Sequence, residues 1–128
     1  MIQTIPQKEH STERGATFLE NAFIKNFLIA SIIFLIAGWS ILIAFIRPRE
    51  TPLILHYNVY FGVDLIGTWW QTYILQGVAT ALLLIHVLLA RSFYVKKDRF
   101  AAYILLLATN FVLFGVVVVS ASIAFINY

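Results

Sequence analysis

The chain contains no cysteine and has few charged residues. Of its 128 residues, 12% are charged and 61% are hydrophobic, whereas a soluble domain is about a quarter charged and about half apolar. The absence of cysteine excludes disulfides, thiolate metal sites and lipid anchoring through a cysteine. The scarcity of charge argues against a soluble globular domain.

Charge is absent altogether from three long apolar runs, at 27–46, 73–90 and 103–126. Each run reaches the roughly 18 to 25 residues with which a helix crosses about 30 Å of hydrocarbon. None shows the alternation of apolar and polar residues that a strand of a membrane barrel requires. The sequence therefore predicts an all-α integral membrane protein with transmembrane helices at 23–46, 68–93 and 100–127.

Three connecting segments complete this single predicted membrane domain. They are a polar N-terminal tail at 1–22, a structured outer loop at 47–67 and a cytoplasmic loop at 94–99. Lysine and arginine concentrate in or beside the tail and the last loop, and flanking cations are retained on the cytoplasmic side. We therefore predict a cytoplasmic N-terminus, with the outer loop and the C-terminus outside. Membrane ends also explain the net charge of +3 without nucleic-acid binding.

Three polar side chains inside the predicted helices are candidates for intramembrane contacts, namely Gln76, His86 and Asn110. At 100° per residue, Gln76 and His86 share one face of the second helix. The other members of that face are small, apolar or weakly polar: Thr72, Ala79, Leu83 and Ala90. A polar group in hydrocarbon usually finds a partner, so this face predicts interhelical contacts.

Small residues recur every seven positions in two of the helices, which allows helix backbones to approach closely in lipid. These files are Ala30, Ala37 and Ala44 in the first helix, and Ala101, Ala108, Gly115 and Ser122 in the third. They predict a tight three-helix bundle. Asn110 points away from the file on its own helix, so one of the two faces away from the bundle. Alternatively, Asn110 and His86 lie at similar depth and hydrogen-bond to each other.

His86 permits two interpretations. As a functional residue it is a haem ligand or, with Gln76, a quinone contact. A haem held by two histidines needs both at one depth, and His56 belongs to the opposite membrane side. A second copy of the chain would have to supply the partner. A structural, hydrogen-bonded histidine is the preferred interpretation, and we predict no cofactor.

The outer loop contains the candidate recognition residues, which are His56, Tyr57, Asn58, Gly62, Asp64 and Gly67. One histidine and one aspartate fall short of the three protein ligands of a mononuclear zinc site. No positioned nucleophile and base accompany them. We therefore predict neither a metal site nor an enzyme. At the end of the loop, Thr68 and Gln71 have the spacing of a capping box that begins the second helix.

The order His56-Tyr57-Asn58, then Gly62, then Asp64-x-x-Gly67, between two transmembrane helices, resembles the short domain of SdpI-like bacterial membrane proteins. Gly62 lies one place later than in that family's pattern. The resemblance covers about residues 27 to 90 and implies an integral protein of the bacterial cytoplasmic membrane. Some members of the family give immunity to a secreted peptide toxin and take part in signalling, but they have more helices.

Three functions remain open from the sequence. The preferred one is a non-catalytic accessory or scaffold subunit, whose partners are the lipid bilayer and other membrane subunits or a second copy of the chain. The alternatives are an SdpI-like immunity or ligand-sensing protein and a haem- or quinone-binding redox subunit.

Overall fold

The computed structural model describes residues 17–128. Along the chain the elements are α1 (Ala22–Phe45), β1 (Leu53–Asn58), β2 (Gly62–Gly67), α2 (Gln71–Val95) and α3 (Arg99–Ile126). Each helix is long and apolar enough to cross a bilayer. The prediction of three such helices is confirmed. The all-α prediction is wrong in one respect, since the outer loop forms a two-stranded sheet.

Polar side chains mark where two of the helices begin. The Asn21 Oδ1 accepts from the backbone N–H groups of Phe23 and Ile24 at 3.1 and 3.2 Å. At the start of α3, the Asp98 carboxylate accepts from the N–H of Ala101 at 3.1 Å. Both contacts satisfy donors that have no partner within the helix. Residues 1–16 of the predicted polar tail lie outside the described part of the chain.

Helix α2 begins three residues later than predicted. Gln71 Oε1 accepts from the N–H of Thr68 at 2.8 Å, which is one of the two bonds of the predicted capping box. The N–H of Gln71 itself donates to the carbonyl of Thr68 at 3.1 Å. This bond spans three residues, so the chain makes a tighter turn before the regular helix starts at Gln71.

Helix α3 lies along both of the other helices, and three apolar clusters fill the bundle from end to end. At the end near the α2–α3 connection, the cluster consists of Ile24, Ala90, Tyr94, Ala102 and Leu106. The middle cluster is Ala79, Leu83 and Leu113. At the end near the sheet it is Leu42, Ile46, Leu53 and Ile123. Because Leu53 belongs to β1, the sheet is part of this last cluster.

The face of α2 identified in the sequence is the buried one. Thr72, Gln76, Ala79, Leu83 and Ala90 are all buried, and His86 is half-buried beside them. This face meets α3 and α1, and two of its polar members, Gln76 and His86, have partners on α3, whereas the Thr72 hydroxyl donates to the carbonyl of Trp69.

The file of small residues on α3 faces outwards at three of its four positions, which decides between the two alternatives that the sequence leaves open. Ala108, Gly115 and Ser122 are exposed, whereas Asn110 is buried. An amide that faces hydrocarbon without a partner costs more free energy than exposed alanine or glycine, so α3 turns its polar side inwards. On α1, Ala44 is likewise exposed, and Ser31 and Gly38 occupy the interface instead.

The outer surface of the bundle is apolar. Large aliphatic and aromatic side chains project from all three helices, among them Ile32, Ile36, Leu84, Leu88 and Phe111. A soluble monomer rarely exposes an apolar patch of more than a few hundred Å². Three apolar helices with apolar outer faces indicate a multi-pass membrane protein.

Candidate functional site

The connection between α1 and α2 is an antiparallel hairpin with an apolar tip. Tyr57 lies opposite Val63, and Asn58 lies opposite Gly62. The Asn58 Oδ1 accepts from the N–H of Tyr60 at 2.8 Å, a side-chain-to-backbone bond that stabilises the turn. Gly62 has a φ of 78°, a left-handed conformation that only glycine adopts without strain.

Two irregularities in the strand register place side chains on different surfaces of the hairpin. An extra residue, Leu55, interrupts β1, and an extra residue, Asp64, interrupts β2. Leu55 packs against the apolar cluster at the end of the bundle. The Asp64 Oδ1 lies 2.6 Å from the Nδ1 of His56. Both side chains are accessible, at 61% for His56 and 42% for Asp64, so a ligand can reach this pair.

The base of the hairpin is fixed to the ends of α1 and α3. Asn127, just after α3, binds both backbone groups of Ile54, donating to its carbonyl at 2.7 Å and accepting from its N–H at 2.8 Å. The Arg49 guanidinium donates to the carbonyl of Asn127 at 3.3 Å. A side chain at Gly67 would meet the ends of the Leu55 and Gln71 side chains, so the backbone passes close to both where the hairpin enters α2.

The tip of the hairpin, defined as Val59, Tyr60 and Phe61, has almost no contact with the rest of the protein. These side chains are 82%, 88% and 83% exposed, respectively. The six candidate recognition residues flank the tip. Of these, Asn58, Gly62 and Gly67 shape the hairpin, His56 contacts Asp64, and Tyr57 remains half-exposed. Sequence reasoning missed the tip itself, although an apolar "VYF" next to a turn glycine was the available signal.

The three intramembrane polar residues do not form one site. The Gln76 Nε2 donates to the Ser120 Oγ at 2.8 Å, and its amide lies against the backbone of Gly38. Gln76 therefore joins all three helices. Its Oε1 is buried and has no hydrogen-bond partner within residues 17–128.

The proposed bond between His86 and Asn110 does not form. The Asn110 Nδ2 donates to the carbonyls of Phe27 at 3.2 Å and Leu106 at 2.8 Å, which ties α3 to α1. The His86 Nδ1 instead lies 2.8 Å from the Thr109 Oγ1. Thr109 and Asn110 are consecutive on a helix, so they point about 100° apart and reach different neighbours.

The His86 contact also assigns its tautomer. The Thr109 hydroxyl donates its hydrogen to the carbonyl of Leu105 at 2.7 Å, so its oxygen accepts from His86. The Nδ1 of His86 therefore carries a hydrogen. This supports the structural interpretation of the residue, since the ring holds α2 against α3.

Within the described part of the chain, no three histidine, aspartate or glutamate side chains gather as a metal site would require. No family model matches the sequence, and no curated protein or solved structure matches it either. The resemblance to SdpI-like proteins therefore stays a prediction that rests on the hairpin residues alone.

Proposed function

We propose that the protein is a non-catalytic accessory subunit of a membrane assembly and that its hairpin tip contacts another protein. The observation that carries this proposal is the tip itself, three consecutive apolar side chains held clear of the bundle. Aromatic side chains are enriched in the cores of protein interfaces, where they bury a large area at a small entropic cost.

The contacts that hold the hairpin in a fixed conformation support a binding role. Asn127, the buried Leu53 and the Asn58 turn restrict the hairpin before any partner arrives. A loop that is already ordered loses less conformational entropy on binding, so more of the contact energy contributes to affinity. A hairpin that served only to join two helices would not need exposed aromatic residues at its turn.

The outward file on α3 is where we place a second contact, with a helix of another subunit. Ala108, Gly115 and Ser122 give that face little side-chain bulk, and the Ser122 hydroxyl is bound to the carbonyl of its own helix at Val118. Close backbone approach along such a file stabilises helix pairs in lipid. Another subunit or a second copy of this chain meets that requirement.

Photo-cross-linking tests the tip contact in intact membranes. A photoreactive phenylalanine analogue replaces Tyr60 in one variant and Tyr128 in a matched control, because both tyrosines are exposed, at 88% and 97%. We expect a discrete protein adduct from position 60 and none from position 128. The substitution Phe61→Ser should then reduce recovery of that same partner without changing the abundance of the chain. Adducts with lipid alone at position 60 would contradict the proposal.

The absence of native cysteine makes the proposed orientation directly measurable. We place the hairpin outside the cytoplasm of a bacterial cell and the α2–α3 connection inside it, from the distribution of lysine and arginine. A membrane-impermeant maleimide added to intact cells should label a Tyr60→Cys variant and spare Lys97→Cys. The reverse pattern would invert the topology.

An immunity or ligand-sensing role is the second candidate, favoured by the accessible His56–Asp64 pair. Replacement of His56, Asn58 and Asp64 by alanine should abolish protection or ligand response at unchanged protein abundance if this role is correct. A redox role is the third candidate, since the contact with Thr109 engages only one ring nitrogen of His86 and the Gln76 Oε1 has no partner within residues 17–128. A Soret band in the purified protein would support the haem alternative.

A further inference from the structure

At the end of the bundle opposite the hairpin, a cleft of about 770 Å³ separates the segment before α1 from the last turns of α2. Two arginines line it, Arg91 from α2 and Arg99 from the first turn of α3. Its apolar lining includes Phe18, Val87 and Leu88. The cleft thus combines two positive charges with an apolar wall.

The charged and the apolar lining residues of the cleft lie at different heights along α2. Val87 and Leu88 precede Arg91 by three to four residues, which at 1.5 Å per residue places them about 5 to 6 Å further into the bundle. The apolar part of the cleft therefore extends towards the hydrocarbon. Arginines at the end of a membrane-spanning helix are expected at the level of the headgroups.

Within residues 17–128, neither arginine of the cleft forms an ion pair. Two carboxylates lie near this end of the bundle, namely Glu20, which accepts from the N–H of Thr17, and Asp98, which accepts from the N–H of Ala101. Neither of these carboxylates lines the cleft.

Arg99 is held in position by an aromatic ring. Its guanidinium carbon lies 5.2 Å from the centre of the Tyr94 ring, which is within the range of a cation–π contact. The Phe18 ring meets the same tyrosine edge-on at 5.6 Å between centroids. This stacking orients the planar donor group of Arg99, and guanidinium groups bind phosphate oxygens through two parallel hydrogen bonds.

We propose that this cleft binds one anionic phospholipid, with its phosphate at Arg91 and Arg99 and an acyl chain along Val87 and Leu88. Charge complementarity selects the occupant, since the charged lining groups are both cations and the apolar wall leads into the bilayer. A free phosphate would satisfy the arginines but not the apolar wall. The site lies away from the hairpin, so its test is independent of the proposed function.

Native mass spectrometry of the full chain in detergent micelles measures this binding. We expect the first phosphatidylglycerol to bind about tenfold more tightly than phosphatidylcholine, in line with two cations near a membrane surface. In the double variant Arg91→Gln, Arg99→Gln this preference should disappear. The matched control is Lys25→Gln, Lys96→Gln, which removes two exposed cations from the same end of the bundle but none from the cleft. The control should keep the preference.

A second variant separates a lipid from a free anion and does not alter the arginines. Leu88→Trp fills the apolar part of the cleft from an exposed position, so folding is unaffected and phosphatidylglycerol binding should fall about tenfold. Millimolar inorganic phosphate should not compete with the lipid. Equal loss in the lysine control, a preference that survives removal of both arginines, or full competition by phosphate would each overturn the proposal.

Discussion

Asn127 pairs with Ile54 as a neighbouring strand would, using its side-chain amide in place of a backbone peptide. The same Nδ2 also donates to the carbonyl of Ile123 at 2.8 Å, inside the last turn of α3. One side chain therefore completes the end of a helix and holds the edge of the hairpin.

Replacing Asn127 by alanine should loosen the base of the hairpin and leave the bundle folded. Two hydrogen bonds to Ile54 are lost, which corresponds to about 1 to 3 kcal/mol of local opening free energy. Hydrogen exchange of the Ile54 amide should accelerate accordingly. The variant Asn127→Asp keeps the acceptor for that amide and should show a smaller acceleration. Unchanged exchange in the alanine variant would show that the apolar contacts of Leu53 and Leu55 hold the hairpin without Asn127.

Gly38 should not tolerate alanine. An added Cβ would meet the Gln76 side chain, with Cδ at 2.9 Å, and overpacking of this kind destabilises by about 1 to 3 kcal/mol. Gly77→Ala is the control, because nothing lies within 4 Å of a Cβ at that position. Unfolding in mixed micelles measures both variants.

The collision at Gly38 also predicts a coupling with its partner. In a Gln76→Ala background the colliding amide is gone, so Gly38→Ala should cost much less than in the native chain. If both backgrounds give the same loss of stability, Gln76 is not the residue that requires glycine at this position.

Thr109→Val should release the His86 ring. Valine has nearly the shape of threonine but offers no acceptor, and interhelical hydrogen bonds of this kind contribute about 0.6 kcal/mol on average. Nitrogen NMR should show that the Nδ1–H tautomer of His86 loses population. Thr80→Val is the control, because that hydroxyl binds Trp39 and the carbonyl of Gln76 instead. Its histidine spectrum should remain native.

Glu20 provides a pH-dependent contact just before α1. The hydrogen bond from the backbone N–H of Thr17 lowers the pKa of Glu20 below its ordinary value of 4.5. A lowered pKa means that the folded state favours the carboxylate, so the contact is present above the ordinary value and is lost as pH falls through the lowered one. The Thr17 amide shift should titrate with a midpoint below 4.5. A Glu20→Gln variant should show no such titration.

The buried face of α2 shows how much helical periodicity can predict. Angle alone places six residues on one face, of which five are buried and His86 is half-buried. The buried ones are Thr72, Gln76, Ala79, Leu83 and Ala90. The sequence does not predict the partners of Gln76 and His86. These partners, Ser120 and Thr109, are distant along the chain, and the rotation of α3 about its axis determines which of its residues face α2. That rotation also decides which of two faces of α3, the small-residue file or the Asn110 side, lies inside the bundle, a choice that the sequence leaves open.

The hairpin shows the opposite case. Its residues favour extended structure, and Gly62 indicates a turn, but the register slips at Leu55 and Asp64 have no signature in the sequence. They follow from Leu55 joining the apolar cluster and from Asn127 holding Ile54. Both contacts span more than sixty residues or cross between elements, so local preference does not specify them.

The amino-acid sequence by itself determined three lipophilic helices and the polar connections between them, because the transfer of apolar residues out of water depends on composition and length. It also determined which side of α2 is buried. Only the tertiary structure decided which side of α3 faces inwards, where the hairpin is anchored, and that Arg91 and Arg99 share one cleft. Those features depend on the relative rotation of packed helices, which arises from the sum of many weak contacts between distant parts of the chain.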